Sequence, residues 1–310
     1  MISEKHGRVV KGLGGLYTTR VVDEKGNTEL YVCRAKGNLK RDEEKVLVGD
    51  AVVLAVDEQT PDGIVISEVK ERKNSLIRPP MANIDYLFIV LAAKKPMPAL
   101  DVIDKLTAIC EHSGINAVIV ITKQDLSCEL ADNYAQIYRT AGFPVFVTSS
   151  SDGGGIEELS SYINTYVTDG AIAAFAGASG VGKSTLMNAL FPELALFTGE
   201  VSKKTERGRH TTRHVEIFDI ANGGFLADTP GFSLIDFARF DFFGIEDLPA
   251  TFRDILEFSG DCRYADCTHV GEGESDCAVA RAAAAGKIAP SRLESYRSVY
   301  KTLKLKKNYD

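Results

Sequence analysis

Gly177-Ala178-Ser179-Gly180-Val181-Gly182-Lys183-Ser184-Thr185 is the stretch that decides the fold of this 310-residue chain. It matches Gly-x4-Gly-Lys-Ser/Thr in full, follows the apolar strand-like run Ile172–Ala176 and precedes a helical stretch, Ser184–Leu190. Those flanks are the ones a phosphate-binding loop requires. Glycines let backbone amides approach phosphate oxygens, and the helix N-terminus adds the positive end of its dipole. Lys183 can reach β- and γ-phosphates and Ser184 can ligate Mg²⁺, so all nine residues are candidate nucleotide contacts.

Downstream, Val215–Ile220 and Gly224–Asp228 read as two strands joined at Ala221-Asn-Gly223, a hairpin signal. Asp228-Thr-Pro-Gly231 then supplies a second Mg²⁺-side motif. Asp228 is expected to hold the ion through water, and the Gly231 amide to meet the γ-phosphate. Between loop and motif, the charged stretch Ser202–Arg207 leads into Gly208-Arg-His-Thr-Thr-Arg213, which reads as a switch. A threonine there can close over Mg²⁺ and the γ-phosphate, with Thr212 favoured over Thr211. Phe232 stands where many nucleotide hydrolases carry a water-orienting Gln, and a phenyl ring cannot orient water.

Upstream, from about residue 74, buried-strand runs (Tyr86–Ala93, Ala117–Thr122, Val145–Thr148) alternate with helical stretches (Leu100–Ser113, Glu129–Ala141, Ile156–Tyr166). That alternation marks a doubly wound parallel sheet. Thr122-Lys123-Gln124-Asp125 follows one of these strands. A carboxylate at Asp125 can accept from both N1–H and the N2 amino group of guanine, a donor pair adenine lacks. The next strand ends in Thr148-Ser149-Ser150-Ser151, where the Ser150 amide is the candidate contact to guanine O6 and Ser149 lines the same pocket. The base reader therefore precedes the phosphate loop, the reverse of the usual order.

Residues 1–72 carry about five short β-branched runs (Gly7–Val10, Leu16–Val22, Leu30–Ala35, Ala51–Val56, Ile64–Val69) between turn signals. They suit a small barrel of the oligonucleotide-binding (OB) type, while periodicity also allows an SH3-like barrel. Net charge is −7, which argues against a generally basic nucleic-acid binder. The distribution is uneven: residues 236–280 hold three Lys/Arg against eleven acids, and residues 281–310 hold eight against two. The basic tail has Tyr296 and Tyr300 interleaved, and the barrel adds Arg8, Lys11, Arg20, Arg34, Lys36, Lys40 and Arg41 as a second candidate RNA surface. The run Tyr86–Ala93 is far short of the ~20 residues of a membrane span. The N-terminus has no apolar signal core, and a cytoplasmic protein is expected.

Cys262-x4-Cys267-x-His269-x7-Cys277 places three thiolates and an imidazole in one short segment. That donor set suits a closed tetrahedral structural zinc site, with unliganded cysteines as the alternative. Cys33, Cys110 and Cys128 lie in apolar or helical contexts and read as core or surface thiols.

Together these motifs resemble the circularly permuted, ribosome-small-subunit-dependent GTPases of the RsgA family. The likeness runs through the barrel, the permuted nucleotide motifs and the cysteine cluster, and continues in Ala278-Val-Ala, Gly286-Lys-Ile and Arg292-x3-Tyr296. It implies three regions: an OB barrel over 1–72, a permuted α/β GTPase over 73–235 and a mostly helical zinc-binding region over 236–310. It implies a monomeric GTP hydrolase that binds the 30S subunit through 16S rRNA, is stimulated by it and acts late in its assembly. It also implies His210 as the residue that orients the attacking water, beside Lys183 and Thr212. A nucleotide-gated RNA-binding scaffold with incidental hydrolysis is the alternative. Thr122 replaces the usual Asn of the base reader, and the His269–Cys277 spacing is longer than the common family pattern, which predicts a bulge in the metal loop.

Overall fold

The computed structural model of the chain describes residues 2–37, 39, 45–57, 63–77, 79–149, 151–194, 215–228, 237 and 239–307. Strand β1 (Ile2–Leu13) pairs antiparallel with β2 (Leu16–Val22), and β2 with β3 (Thr28–Ala35). Strand β3 runs parallel to β5 (Ile64–Val69), β5 pairs with β4 (Ala51–Asp57), and β4 returns to β1. The closed order β1-β2-β3-β5-β4 is the five-strand barrel expected of the oligonucleotide-binding type. Val9, Val21, Cys33, Leu54 and Ile66 fill its interior. The first strand is longer than the Gly7–Val10 run suggested, because it changes partner along its length. Residues 2–8 face β4, and beyond a bulge between Val9 and Lys11 the strand reaches a different element. A two-residue pair, β6 (Ser75–Leu76) and β7 (Met81–Ala82), follows the barrel.

The parallel layer opens with β8 (Tyr86–Ala92), α1 (Leu100–Ser113), β9 (Asn116–Thr122), α2 (Cys128–Thr140) and β10 (Val145–Val147). The strands lie β10-β9-β8, all parallel, as the β/α alternation requires. Helix α1 stops at Gly114 in the left-handed region, and α2 starts where the Ser127 hydroxyl accepts the Leu130 N–H. Helix α3 (Ile156–Tyr166) leads to β11 (Ile172–Ala176) and α4 (Lys183–Leu190). Phe175 of β11 stacks on Phe88 at 4.8 Å between ring centres and meets Phe191 edge-on. These rings seat the start of the phosphate loop on an apolar floor.

Strands β12 (Glu216–Asp219) and β13 (Phe225–Asp228) form the expected antiparallel hairpin, and β13 runs parallel to the first residues of β11. Strand β12 also pairs with β1 at Lys11↔Glu216. The described residues of Met1–Asp85, Val167–Ala174 and Gly199–Gly231 form one compact unit, so the hairpin belongs with the barrel. Tyr86–Tyr166, Phe175–Thr198 and Phe232–Asp310 form the second.

The C-terminal part of the second unit is helical: α5 (Arg253–Ser259), α6 (Ala278–Ala284) and α7 (Pro290–Lys307). Arg292 of α7 is fully buried and donates to Asp104 Oδ1 at 3.0 Å, Thr107 Oγ1 at 3.0 Å and both carboxylate oxygens of Asp254 at 2.9 and 3.1 Å. One guanidinium thereby joins α7 to α1 and α5. The sequence reading placed Arg292 and Tyr296 on an RNA-facing tail, and the structure corrects both. Arg292 is consumed by buried carboxylates, and Tyr296 is 1% exposed, edge-on to Phe252.

Candidate functional site

The phosphate-loop stretch leaves β11 as a turn that ends on α4. Gly177 is buried where a Cβ would stand 2.4 Å from the Val90 carbonyl, so no side chain fits there. Gly182 sits at φ +94° and forms the N-terminal boundary of α4, a conformation that favours glycine. Lys183 donates to the Gly177 carbonyl at 3.4 Å, folding its ammonium back over the loop. Ala178, Ser179, Gly180, Ser184 and Thr185 are exposed, and Val181 is buried beneath them. The exposed loop residues thus lead onto the N-terminus of α4, and a helix N-terminus favours an anion.

The base reader is tied directly to this loop. The Thr122 hydroxyl, at the end of β9 and 2% exposed, donates to the Val181 carbonyl at 2.5 Å, with the Leu91 carbonyl at 3.2 Å. Lys123, at φ +58°, sends its ammonium to the carbonyls of Gly180 at 2.6 Å and Lys95 at 2.5 Å. The Gln124 amide donates to the Thr148 carbonyl at 3.2 Å. Asp125 is exposed, and its Oδ1 accepts from the buried Ser149 hydroxyl at 3.1 Å, which is itself 2.8 Å from Ser151 Oγ. Two segments 59 positions apart in the chain are thus one construction. The sequence singled out Thr122 as a departure from Asn, and here its hydroxyl makes the connection to the loop. Ser149 as the group that orients Asp125, and Lys95 as a carbonyl partner for Lys123, went unseen, because neither bond leaves a spacing signal.

Of the remaining candidates, Ser150, His210, Thr211, Thr212, Gly231 and Phe232 lie outside the described residues, as does the whole stretch 202–213. Asp228 closes β13, its backbone paired with Glu216.

Cys262, Cys267, His269 and Cys277 come together with all four donor atoms within 4.8 Å of one another. His269 Nδ1 lies 3.6, 3.4 and 3.5 Å from the three sulfurs in chain order, and Cys262 Sγ is 4.0 Å from Cys277 Sγ. Tetrahedral zinc with ordinary bond lengths separates sulfur from nitrogen by about 3.6 Å and sulfur from sulfur by about 3.8 Å. The donor set fits that ion in number, chemistry and distance, so the cluster can hold one zinc. Burial lowers the pKa of His269, which leaves a neutral imidazole with a free lone pair. The amides of Ala278 and Ala280 donate to Cys262 and Cys277 at 3.3 and 3.4 Å, stabilising negative sulfur.

The long loop between His269 and Cys277 is closed by Glu272, a residue the sequence reading passed over. Its carboxylate accepts the amides of Thr268, Val270 and Gly271 and the Thr268 hydroxyl. Against a desolvation that would raise it, these bonds hold Glu272 at about 2. His269 sits at φ +62° inside this turn, and its carbonyl accepts from Arg297 Nε at 3.2 Å. Of the other cysteines, Cys33 and Cys110 are buried and Cys128 is exposed, as read from sequence.

A phosphate loop at the head of a helix, held by a base reader that precedes it in the chain, defines a circularly permuted P-loop GTPase. Residues 69–238 match the RsgA GTPase family model, and residues 6–65 match the RsgA N-terminal domain. The chain is 37% identical over 304 residues to the small ribosomal subunit biogenesis GTPase RsgA of Alkaliphilus metalliredigens, covering 98% of this chain and 99% of that one. It is 40% identical over 296 residues to the protein of the same name from Bacillus pumilus, covering 94% of each. It resembles the crystal structure of YloQ, described as a circularly permuted GTPase, with TM-score 0.75 and 32% identity over 97% of this chain and 96% of that one. The crystal structure of YjeQ from Thermotoga maritima gives TM-score 0.73 and 30% identity over 97% and 99%. The chain belongs to the RsgA GTPase family.

Proposed function

We propose that this protein binds and hydrolyses GTP during biogenesis of the small ribosomal subunit, engaging the 30S subunit through 16S rRNA. The observation that carries the reading is the junction of base reader and phosphate loop. Thr122 and Lys123 bond to the carbonyls of Val181 and Gly180, while Ser149 orients the Asp125 carboxylate. Asp125 then accepts from guanine N1–H and the N2 amino group, and the Ser150 amide donates to O6. Residues 177–185 cradle the phosphates, with Lys183 neutralising charge on the β- and γ-phosphates. Mg²⁺, bound with the nucleotide, supplies further charge neutralisation; its assigned ligands are Ser184, Thr212 and Asp228. The Gly231 amide meets the γ-phosphate, and His210 orients the water that attacks it.

Hydrolysis without a glutamine at position 232 depends on ordering by the bound subunit, so slow intrinsic turnover is accelerated there and coupled to release. The division into a barrel over 1–72, a GTPase over 73–235 and a zinc-bearing region over 236–310 follows the change in chemistry along the chain. Zinc is structural and its shell is complete in protein ligands. The exposed cations Arg34, Lys36, Lys301 and Lys304 are the proposed rRNA contacts. The protein acts as a cytoplasmic monomer; among the described residues no helix is long and apolar enough to cross a membrane.

Cosedimentation with purified 30S subunits tests the reading. Binding with a non-hydrolysable GTP analogue should exceed binding with GDP. Equal binding with both nucleotides, or none with either, would overturn it.

A further inference from the structure

Strand β8 carries no nucleotide motif, yet the end of the strand and the residues after it touch both the base reader and the phosphate loop. The Val90 carbonyl leaves no room for a side chain on Gly177, and the Leu91 carbonyl lies 3.2 Å from the Thr122 hydroxyl. The Ala93 amide donates to the Thr122 carbonyl at 2.8 Å. Beyond the strand, the Lys95 carbonyl accepts from the Lys123 ammonium at 2.5 Å, and the Gly180 carbonyl accepts from the same ammonium at 2.6 Å. A Cβ on Gly180 would meet the Pro96 ring at 3.9 Å. Residues 94–97 therefore lie against the phosphate loop, although their side chains are exposed.

Backbone conformation singles out Lys95 within this segment. It lies at φ +56° and Lys123 at φ +58°, two of the five non-glycine residues with positive φ among the described residues. The left-handed region crowds a Cβ, and a residue holds it only where its surroundings compensate. The compensation here is the bond that joins the two residues, from the Lys123 ammonium to the Lys95 carbonyl. A return of Lys95 to an ordinary φ would swing that carbonyl away from the cation.

We propose that Lys95 is a positioning residue of the guanine-nucleotide site, acting through its main-chain carbonyl on Lys123. The inference rests on the GTPase reading above. With its ammonium held between two carbonyls, Lys123 keeps its methylene stem in one place, an apolar edge on which a flat purine can lie. Released from the Lys95 carbonyl, the stem samples other rotamers, and the nucleotide must order it on binding. The site uses the backbone conformation of Lys95 rather than its charge, because the carbonyl makes the bond and the side chain is exposed.

The test titrates fluorescent GDP into the full-length wild-type protein and into Lys95→Val, Lys95→Gly and Lys95→Asn. Valine is β-branched and resists the left-handed region, whereas glycine and asparagine accept it. All three substitutions remove the Lys95 charge, so conformation and charge separate. Lys95→Val should lower GDP affinity about five- to ten-fold, and the Gly and Asn variants should rescue it to within about two-fold of wild type. In a Lys123→Ala background the partner is gone, and adding Lys95→Val should change affinity by less than about two-fold. Equal losses in all three variants, no loss in the Val variant, or a Val loss undiminished in the Lys123→Ala background would overturn the proposal. A wild-type protein that binds no guanine nucleotide would overturn the underlying GTPase reading, and that result appears before any substitution is made.

Discussion

The hydroxyl of Thr122 donates to the main-chain carbonyl of Val181, so the first residue of the base reader holds a buried residue of the phosphate loop. The base reader precedes the phosphate loop in the chain by 59 positions, and this bond joins the two. Asp125 and Lys183 are consequently presented by one connected piece of backbone, which is what simultaneous recognition of base and phosphates requires.

Thr122→Val keeps shape and β-branching but removes the donor, leaving the buried Val181 carbonyl without its partner. One such bond contributes about 1 kcal/mol, so GDP affinity should fall roughly five- to ten-fold. Thr122→Ser should retain most of it. Titration with a fluorescent GDP measures both, and a Val variant equal to wild type would remove the role given to this hydroxyl.

Asp125→Asn replaces an acceptor pair with one acceptor and one donor. Guanine N1–H and N2 lose a charged partner, and xanthine, with a carbonyl at C2, gains a donor. GTP affinity should drop at least about 100-fold, since bonds to charged groups contribute roughly 1.5–3 kcal/mol each. Xanthosine triphosphate should bind the variant better than GTP does. Hydrolysis assays with the two triphosphates read the exchange directly.

Arg292→Ala leaves Asp104 and Asp254 buried without their shared cation. Breaking such a pair costs roughly 3–5 kcal/mol, so a large fall in unfolding midpoint is expected. The loss should depend on pH. Burial already raises the Asp104 pKa, and Arg292 is the principal influence lowering it. Without Arg292 the folded state holds a proton that the unfolded chain, where an aspartate titrates at its ordinary value near 3.8, releases. Stability of the variant therefore falls as pH rises from acid towards neutral. Denaturant melts at pH 5 and pH 8 should show the greater deficit at pH 8; a deficit independent of pH would contradict this.

Removal of zinc should unfold the segment around residues 262–277 while the parallel layer persists. The ligand loops there have few apolar contacts of their own and rely on the ion for closure. Protein purified without chelator should carry one zinc per chain by elemental analysis, and Cys267→Ser should carry substantially less. Intact folding with no zinc in wild type would refute a structural ion.

How much of this was legible in the sequence differs from element to element, for physical reasons. The phosphate loop, the hairpin turn at residues 221–223 and the helices over 100–113 and 156–166 are local, and their signals lie in adjacent residues. The Cys/His cluster was readable because its ligands are close in sequence and chemically rare. The long-range bonds left no trace. Ser149 on Asp125, Arg292 between Asp104 and Asp254, and Phe225 between Arg8 and Arg20 each join residues whose types are common and whose spacing follows no rule. Charge counting also misled where it met burial. Arg292 raises the basic content of the tail yet lies in the core, because two carboxylates from other helices compensate it there.

The most direct measurement is single-turnover hydrolysis of GTP by the full-length protein, with and without purified 30S subunits. A subunit-dependent rise of at least about ten-fold in rate, equivalent to roughly 1.4 kcal/mol of barrier, is predicted, with ATP hydrolysed far more slowly under both conditions. An unchanged GTP rate in the presence of subunits, or ATP hydrolysed as fast as GTP, would contradict the account.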